Sequence, residues 1–177
     1  MKRWIRRAGF WPRHAAAAVA ALALAASCGG GGGGSPTSSS YPAIKGVYGS
    51  YTSLASGVSR QKWTAPDGTV TTVECIAVTS IPVQNGASFS GSVDRVVPCG
   101  SQATIVGTIA QDSTFEFTLT QARWGSCTAT GNGQYKGVVN LGSLLATGRV
   151  TVACDDGRTM TIDEQITGNL PVPPSTN

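Results

Sequence analysis

The sequence holds a single histidine, His14, and none after it. That absence removes Ser-His and Cys-His nucleophile pairs and any imidazole metal site from everything downstream, while catalysis by carboxylates alone remains open. Charge is scarce as well, at 12% of residues. Five of the thirteen lysines and arginines fall within the first 13 residues, which contain no acid. From Cys28 onward, eight basic residues (45, 60, 62, 95, 123, 136, 149 and 158) face nine acids, a formal charge of −1. Without a basic cluster, phosphate neutralisation has no footing, and nucleic acid is excluded as a partner. No apolar run approaches the roughly 20 residues that a membrane-crossing helix needs; the 12 residues 15–26 form the longest charge-free apolar run of the leader. There is no Gly-x-Ser-x-Gly, no phosphate loop, no dinucleotide fingerprint and no C-x-x-C pair. Nothing implies a metal or another cofactor.

What is present begins with a basic segment, residues 1–13, followed by the apolar residues 15–26, the two parts of a signal peptide. The junction Leu24-Ala25-Ala26-Ser27-Cys28 resembles the lipobox of bacterial lipoproteins. The resemblance implies removal of residues 1–27 and acylation of Cys28, with palmitate among the chains, so that the membrane becomes a partner through lipid. Gly29, standing where an aspartate would retain such a protein at the inner membrane, implies delivery to the outer membrane, on its periplasmic face or at the cell surface. The competing reading is an ordinary cleaved signal with an unmodified cysteine. Each buried lipid methylene contributes about 0.8 kcal/mol, so several chains on one cysteine make a durable anchor. Six consecutive glycines, residues 29–34, and a Ser/Pro/Thr stretch then form a tether, 28–42, with a root-mean-square reach of about 20 Å. Residues 169–177 read as a flexible tail.

Between them, residues 43–168 form one domain in which helical periodicity is absent and period-two alternation recurs. Phe115, Phe117 and Leu119 share one face of a strand; Met160 and Ile162 share another, as do Phe89, Gly91 and Val93. The alternation predicts strands over 44–53, 58–64, 69–80, 87–97, 102–110, 113–121, 125–138, 144–154 and 158–167. Turn residues at 65–68, 85–86, 111–113, 140–142 and 155–157 separate them, and the short connections predict an antiparallel up-and-down meander of eight or nine strands. Glycines at 91, 107 and 148, each two residues before a β-branched one, predict coiling or close backbone approach where a sheet curls shut. Closure into a small all-β barrel also removes exposed edges.

Cys75, Cys99, Cys127 and Cys154 are an even set in an exported chain and predict two disulfides. A hairpin centred on Asn140 and Leu141 sets Cys127 opposite Cys154. A turn at Asn85-Gly86 sets Cys75 three residues short of Cys99, so that pair requires irregularity near Pro82 or Pro98.

The Gly/Thr-rich meander with short hairpins resembles exported barrels of the lipocalin and avidin type, and cysteine-stapled barrels of bacterial lipoproteins. Neither the Gly-x-Trp opening of lipocalins nor an avidin-like biotin site is present, so the resemblance carries over a fold and no ligand.

Small eight-stranded barrels are either filled by side chains or hold one small ligand. A ligand cavity, for an apolar or carbohydrate-like molecule, would be lined by Phe89, Ile105, Ile109, Phe115 and Phe117, with Trp63 and Trp124 as stacking platforms or as plugs at the end of the core. Tyr48 and Tyr51 fall on opposite faces. Asp155-Asp156-Gly157 reads as a hairpin turn rather than a calcium loop, and the adjacent Asp163 and Glu164 face opposite ways, unlike a paired acid and base. The leading expectation is a membrane-anchored, non-catalytic barrel that binds a small ligand or serves as a cell-envelope interaction module. The alternative is a hydrolase, or an enzyme inhibitor using a loop at 80–87 or 94–102.

Overall fold

The structure is a computed structural model and describes residues 40–96 and 98–170. Cys28, the signal peptide and nearly all of the tether lie outside the described residues. Among the described residues eleven strands are formed: β1 (Gly46–Tyr48), β2 (Gly57–Thr64), β3 (Val70–Asn85), β4 (Ser88–Arg95), β5 (Ser101–Ile109), β6 (Thr114–Thr120), β7 (Arg123–Trp124), β8 (Cys127–Ala129), β9 (Gly133–Asn140), β10 (Ser143–Cys154) and β11 (Thr159–Asn169). Eight of them, β2, β3, β4, β5, β6, β9, β10 and β11, pair antiparallel in succession, and β11 pairs back onto β2, so the sheet closes as a barrel. The expected all-β, closed, twice-stapled meander is what the chain forms.

Alternation decides which residues fill it. Phe89, Ile105, Ile109, Phe115, Phe117 and Leu119 all point inward and are 0–3% exposed. Their rings form a continuous stack: Phe89 meets Phe115 edge-on at 6.2 Å, Phe115 stacks on Phe117 at 5.9 Å, and Phe117 on Tyr135 at 5.0 Å. The strand glycines make this row possible. Gly107, Gly137 and Gly148 pair across the sheet with Phe117, Phe115 and Tyr135, and the rings of Phe89, Phe115 and Tyr135, respectively, lie where the missing Cβ of each glycine would be. Close approach, not only curling, is therefore what these glycines serve.

Three expectations need correction. The strand expected at 44–53 is only Gly46–Tyr48. Gly49, at φ 98°, turns the chain out, residues 49–56 make an excursion, and β2 then continues along β3 where β1 left off. A Cβ on Gly49 or Gly57 would strike the Ala77 carbonyl and the backbone of the other glycine, so the neck of this loop has room for glycine alone. The strand expected at 125–138 is divided into the β7–β8 hairpin, folded over one barrel end around Gly125, and β9. The last strand runs on to Asn169, and Leu170 packs against the core while donating its N–H to the Gly142 carbonyl at 2.7 Å; the tail thus starts later than 169.

Both disulfides, Cys75–Cys99 and Cys127–Cys154, are formed, with Cα separations of 6.0 and 3.9 Å. Cys127 does lie directly opposite Cys154, but by two offsets that cancel. The hairpin turn is Leu141-Gly142, one residue later than expected, which moves the β9–β10 pairing by two positions. Two extra residues on the 130–133 side, between the Ala129–Val152 and Gln134–Arg149 pairs, move it back. For the other bridge, the β3–β4 turn also lies one residue later than expected, at Gly86-Ala87, which moves the pairing two positions toward Cys99; the register shift between Ser80 and Val83, around Pro82, takes one back, and a turn from Val96 to Cys99 supplies the rest.

Candidate functional site

The two ends of the barrel differ. At one end lie the β3–β4, β5–β6 and β9–β10 turns and the incoming chain, where Gln84 Nε2 donates to the Pro42 carbonyl at 2.9 Å and the Ile44 N–H donates to Gln84 Oε1 at 2.9 Å. At the other end, between the end of β2, the start of β3, the Pro98-Cys99 turn and the β7–β8 hairpin, is a pocket of about 250 Å3. It is lined by Trp63 and Trp124, the buried Gln61, Val73, Pro98-Cys99 and the exposed Gly125-Ser126. The Cys75–Cys99 and Cys127–Cys154 bridges fasten the segments that carry this mouth.

Behind the pocket a polar chain runs into the barrel. Trp63 Nε1 donates to Gln61 Oε1 at 3.0 Å, and Gln61 Nε2 donates to Ser59 Oγ at 3.0 Å and to Glu164 Oε1 at 3.2 Å. Ser59 Oγ also donates to Glu164 Oε1. Arg95 closes a two-pronged pair on the same carboxylate, Nε to Oε1 and Nη2 to Oε2 at 2.7 Å, and Tyr135 donates its hydroxyl to Oε2 at 2.6 Å. The Arg95 and Glu164 side chains are 0% exposed. Trp124 stacks under the guanidinium, 5.1 Å from ring centre to Cζ, a cation–π contact strengthened by the dry surroundings.

The electrostatics follow from this geometry. Burial alone would raise the Glu164 carboxyl, but the Arg95 charge and the donated hydrogen bonds more than offset it and hold it below the ordinary value. Burial works against the Arg95 charge too, and Glu164 outweighs it, so the guanidinium is held more firmly than usual. Burial, then the adjacent Glu164 charge, pushes the Tyr135 phenol up. Glu164 is thus an ionised acceptor with both oxygens occupied, and Tyr135 stays a donor. Three buried donors beside them, Arg95 Nη1, Trp124 Nε1 and Ser101 Oγ, have no hydrogen-bond partner among the described residues.

The residues singled out from sequence separate into two groups. Trp63 and Trp124 line the mouth, Trp63 half-buried and Trp124 at 2% exposure as part of the core. Phe89, Ile105, Ile109, Phe115 and Phe117 sit in the packed interior and touch neither this pocket nor the one described next. A broader concavity of about 850 Å3 lies on the outer wall across β2, β3, β9, β10 and β11. Most of its charges are exposed and paired, Arg60 with Glu74 at 3.3 Å and Arg149 with Asp163, while Lys136 reaches Glu116 at 2.7 Å; Lys62 and the buried Glu164 line it as well. Such solvated pairs are worth little individually and confer no preference for a ligand. Tyr48 is buried with its hydroxyl on the Ile44 carbonyl, whereas Tyr51 lies exposed on the 49–56 loop and donates to Asp94. In the 155–157 turn, Asp156 is engaged by Arg158 through its backbone N–H at 3.0 Å and its side chain at 2.7 Å.

Ser59, Gln61, Arg95, Tyr135 and Glu164 were not foreseen as a group, although the alternation contained the signal. Glu164 is in phase with Ile162 and Ile166, and Arg95 with Phe89 and Val93, so each charge belongs to an inward face. An opposite-signed pair on inward positions of a closed barrel has only each other to neutralise it. No protein-family model, curated protein or solved structure matches the chain, so its own geometry carries the functional reading.

Proposed function

We propose that this chain is an exported, lipid-anchored binding protein without catalytic activity, whose tryptophan-lined mouth holds a small ligand presenting a flat apolar or carbohydrate-like ring. The observation that carries the reading is the pocket between Trp63 and Trp124, at the end of the barrel that two disulfides fasten. Aromatic walls with a few convergent polar groups are the usual make-up of small-ligand sites. The stacked phenylalanines fill the barrel from the end that carries the β3–β4 and β5–β6 turns, which leaves the other end as the place for a guest. Residues 42–44 join at the opposite end. Acylated Cys28, as the lipobox resemblance implies, would hold the domain at the outer membrane.

Binding is favoured over hydrolysis because Glu164, the carboxylate that Gln61 reaches from the pocket, is ionised and saturated with donors and has no proton to exchange. An inhibitor role has less support: residues 80–87 are paired within the β3–β4 hairpin, and 94–102 contains the buried Arg95 and the bridged Cys99. Native mass spectrometry of the protein purified from its own host, with Trp63→Ala as the comparison, tests the reading. A retained adduct lost in the variant supports it, and an adduct-free wild type contradicts it. Intact mass at Cys28 tests the anchor separately.

A further inference from the structure

We infer that the inner side of the mouth, at Trp124, is a subsite for a neutral oxygen acceptor, the hydroxyl or amide carbonyl of a single-ring ligand, received first by Trp124 Nε1 and, next to it, by Arg95 Nη1 and Ser101 Oγ. The inference rests on the mouth being the binding end and adds the chemical class of what enters it.

Arg95 and Trp124 are each 2% exposed and Ser101 is 6% exposed, yet each presents a donor without a partner among the described residues. They are neighbours. Ser101 is the direct cross-strand partner of Arg95 on the same inward face, and the Trp124 ring lies 5.1 Å from the guanidinium carbon. Of the three, Trp124 is the one that lines the pocket, and Arg95 and Ser101 adjoin it inside the barrel. A buried donor left unpaired costs about 1–3 kcal/mol, and native proteins tolerate few of them, so three at one place mark a position where an acceptor is received. The fourth such atom among the described residues, Asp94 Oδ1, is an acceptor and belongs to the adjacent, outward position of β4.

Charge selects the kind of acceptor. Glu164 already neutralises Arg95 through two contacts, so a carboxylate or phosphate would leave an uncompensated negative charge in a dry site, which is costly. A carbonyl or hydroxyl oxygen carries no such penalty. Size selects the rest: at about 250 Å3 the pocket is smaller than the roughly 300 Å3 where sites for drug-sized ligands begin. It therefore takes one ring rather than a chain of them.

The test uses the full-length protein in detergent, 15N-labelled on its tryptophan indoles, titrated with benzamide and with benzoate, which share a ring and differ in charge. Benzamide is expected to shift both the Trp63 and Trp124 indole signals, with Trp124 moving downfield, and benzoate to bind at least ten-fold more weakly. Trp124→Phe, which keeps a ring and removes one donor, and Ser101→Ala, which leaves the walls untouched, should each weaken benzamide by about five-fold, the equivalent of one net hydrogen bond. Movement of Trp63 without Trp124, or benzoate binding as tightly as benzamide, overturns the acceptor subsite and leaves the mouth as a binding site. If neither indole moves with benzamide at tens of millimolar, the mouth reading falls with it.

Discussion

Arg95 and Glu164, 69 residues apart in sequence, meet inside the barrel as a two-pronged ion pair with neither side chain exposed. The pair joins β4 to β11 across the interior and ties the mouth to the core. Buried pairs of this kind add little over a well-packed apolar substitute, but removing one partner leaves a stranded charge.

Arg95→Met is accordingly expected to destabilise the protein by about 3–5 kcal/mol. The double variant Arg95→Met, Glu164→Leu should be more stable than Arg95→Met alone, because no isolated charge remains. Urea denaturation of the wild type, both singles and the double measures the coupling. Simple additivity would show that the two residues do not act as a pair.

Acid should undo the same contact. The Glu164 carboxyl is held below its ordinary value in the folded protein, so its stabilisation is fully present above the unfolded value of about 4.3 and lost as pH falls through the folded one. Melting temperature should fall through that acid window, and Glu164→Gln, although less stable at neutral pH, should show a shallower fall. An unchanged slope in the variant would assign acid sensitivity to other carboxylates.

Three non-glycine residues lie in the left-handed region among the described residues, Gln121 at φ 53° after β6 and, in hairpin turns, Ser113 at φ 71° and Leu141 at φ 45°. Ser113 fills the place held by Gly68 and Gly157 in the other two turns of the same pattern, where an aspartate accepts the N–H two residues on. Leu141 is 99% exposed, so its side chain gains nothing from burial. Ser113→Gly and Leu141→Asn should each stabilise by up to about 1 kcal/mol, seen as a raised thermal midpoint.

Gly148 offers the opposite case. A methyl there would meet both the Tyr135 ring and the Gln134 carbonyl, and Gly148→Ala should cost about 1–3 kcal/mol and disturb the Phe117–Tyr135 stack, read by near-ultraviolet circular dichroism. An unperturbed spectrum would mean that the rings do not depend on the gap.

The fold was largely legible because each stave obeys alternation: Phe115, Phe117 and Leu119, or Ile162 and Ile166, declare an inward face without knowledge of their neighbours. Asp-Gly and Asn-rich turns placed the hairpins to within a residue. Position 141 was missed because a leucine in a left-handed turn contradicts local preference, and the two-residue offset at 130–133 then concealed the error by restoring Cys127 to Cys154. The 49–56 excursion escaped notice because its neck is a contact between Gly49 and Gly57, which alternation does not encode. The site was only half legible: both tryptophans stood out, while the Arg95–Glu164 network depends on a cross-barrel meeting that no local window contains.

The most direct test of the whole account compares the amide spectrum of the host-purified protein with that of the same protein unfolded, stripped of any bound molecule and refolded with both disulfides intact. Differences confined to Gln61, Trp63, Val73, Cys99, Ser101 and Trp124 are the predicted result. Differences centred on Phe89, Phe115 and Phe117, or none at all, would contradict a filled barrel that binds at its mouth.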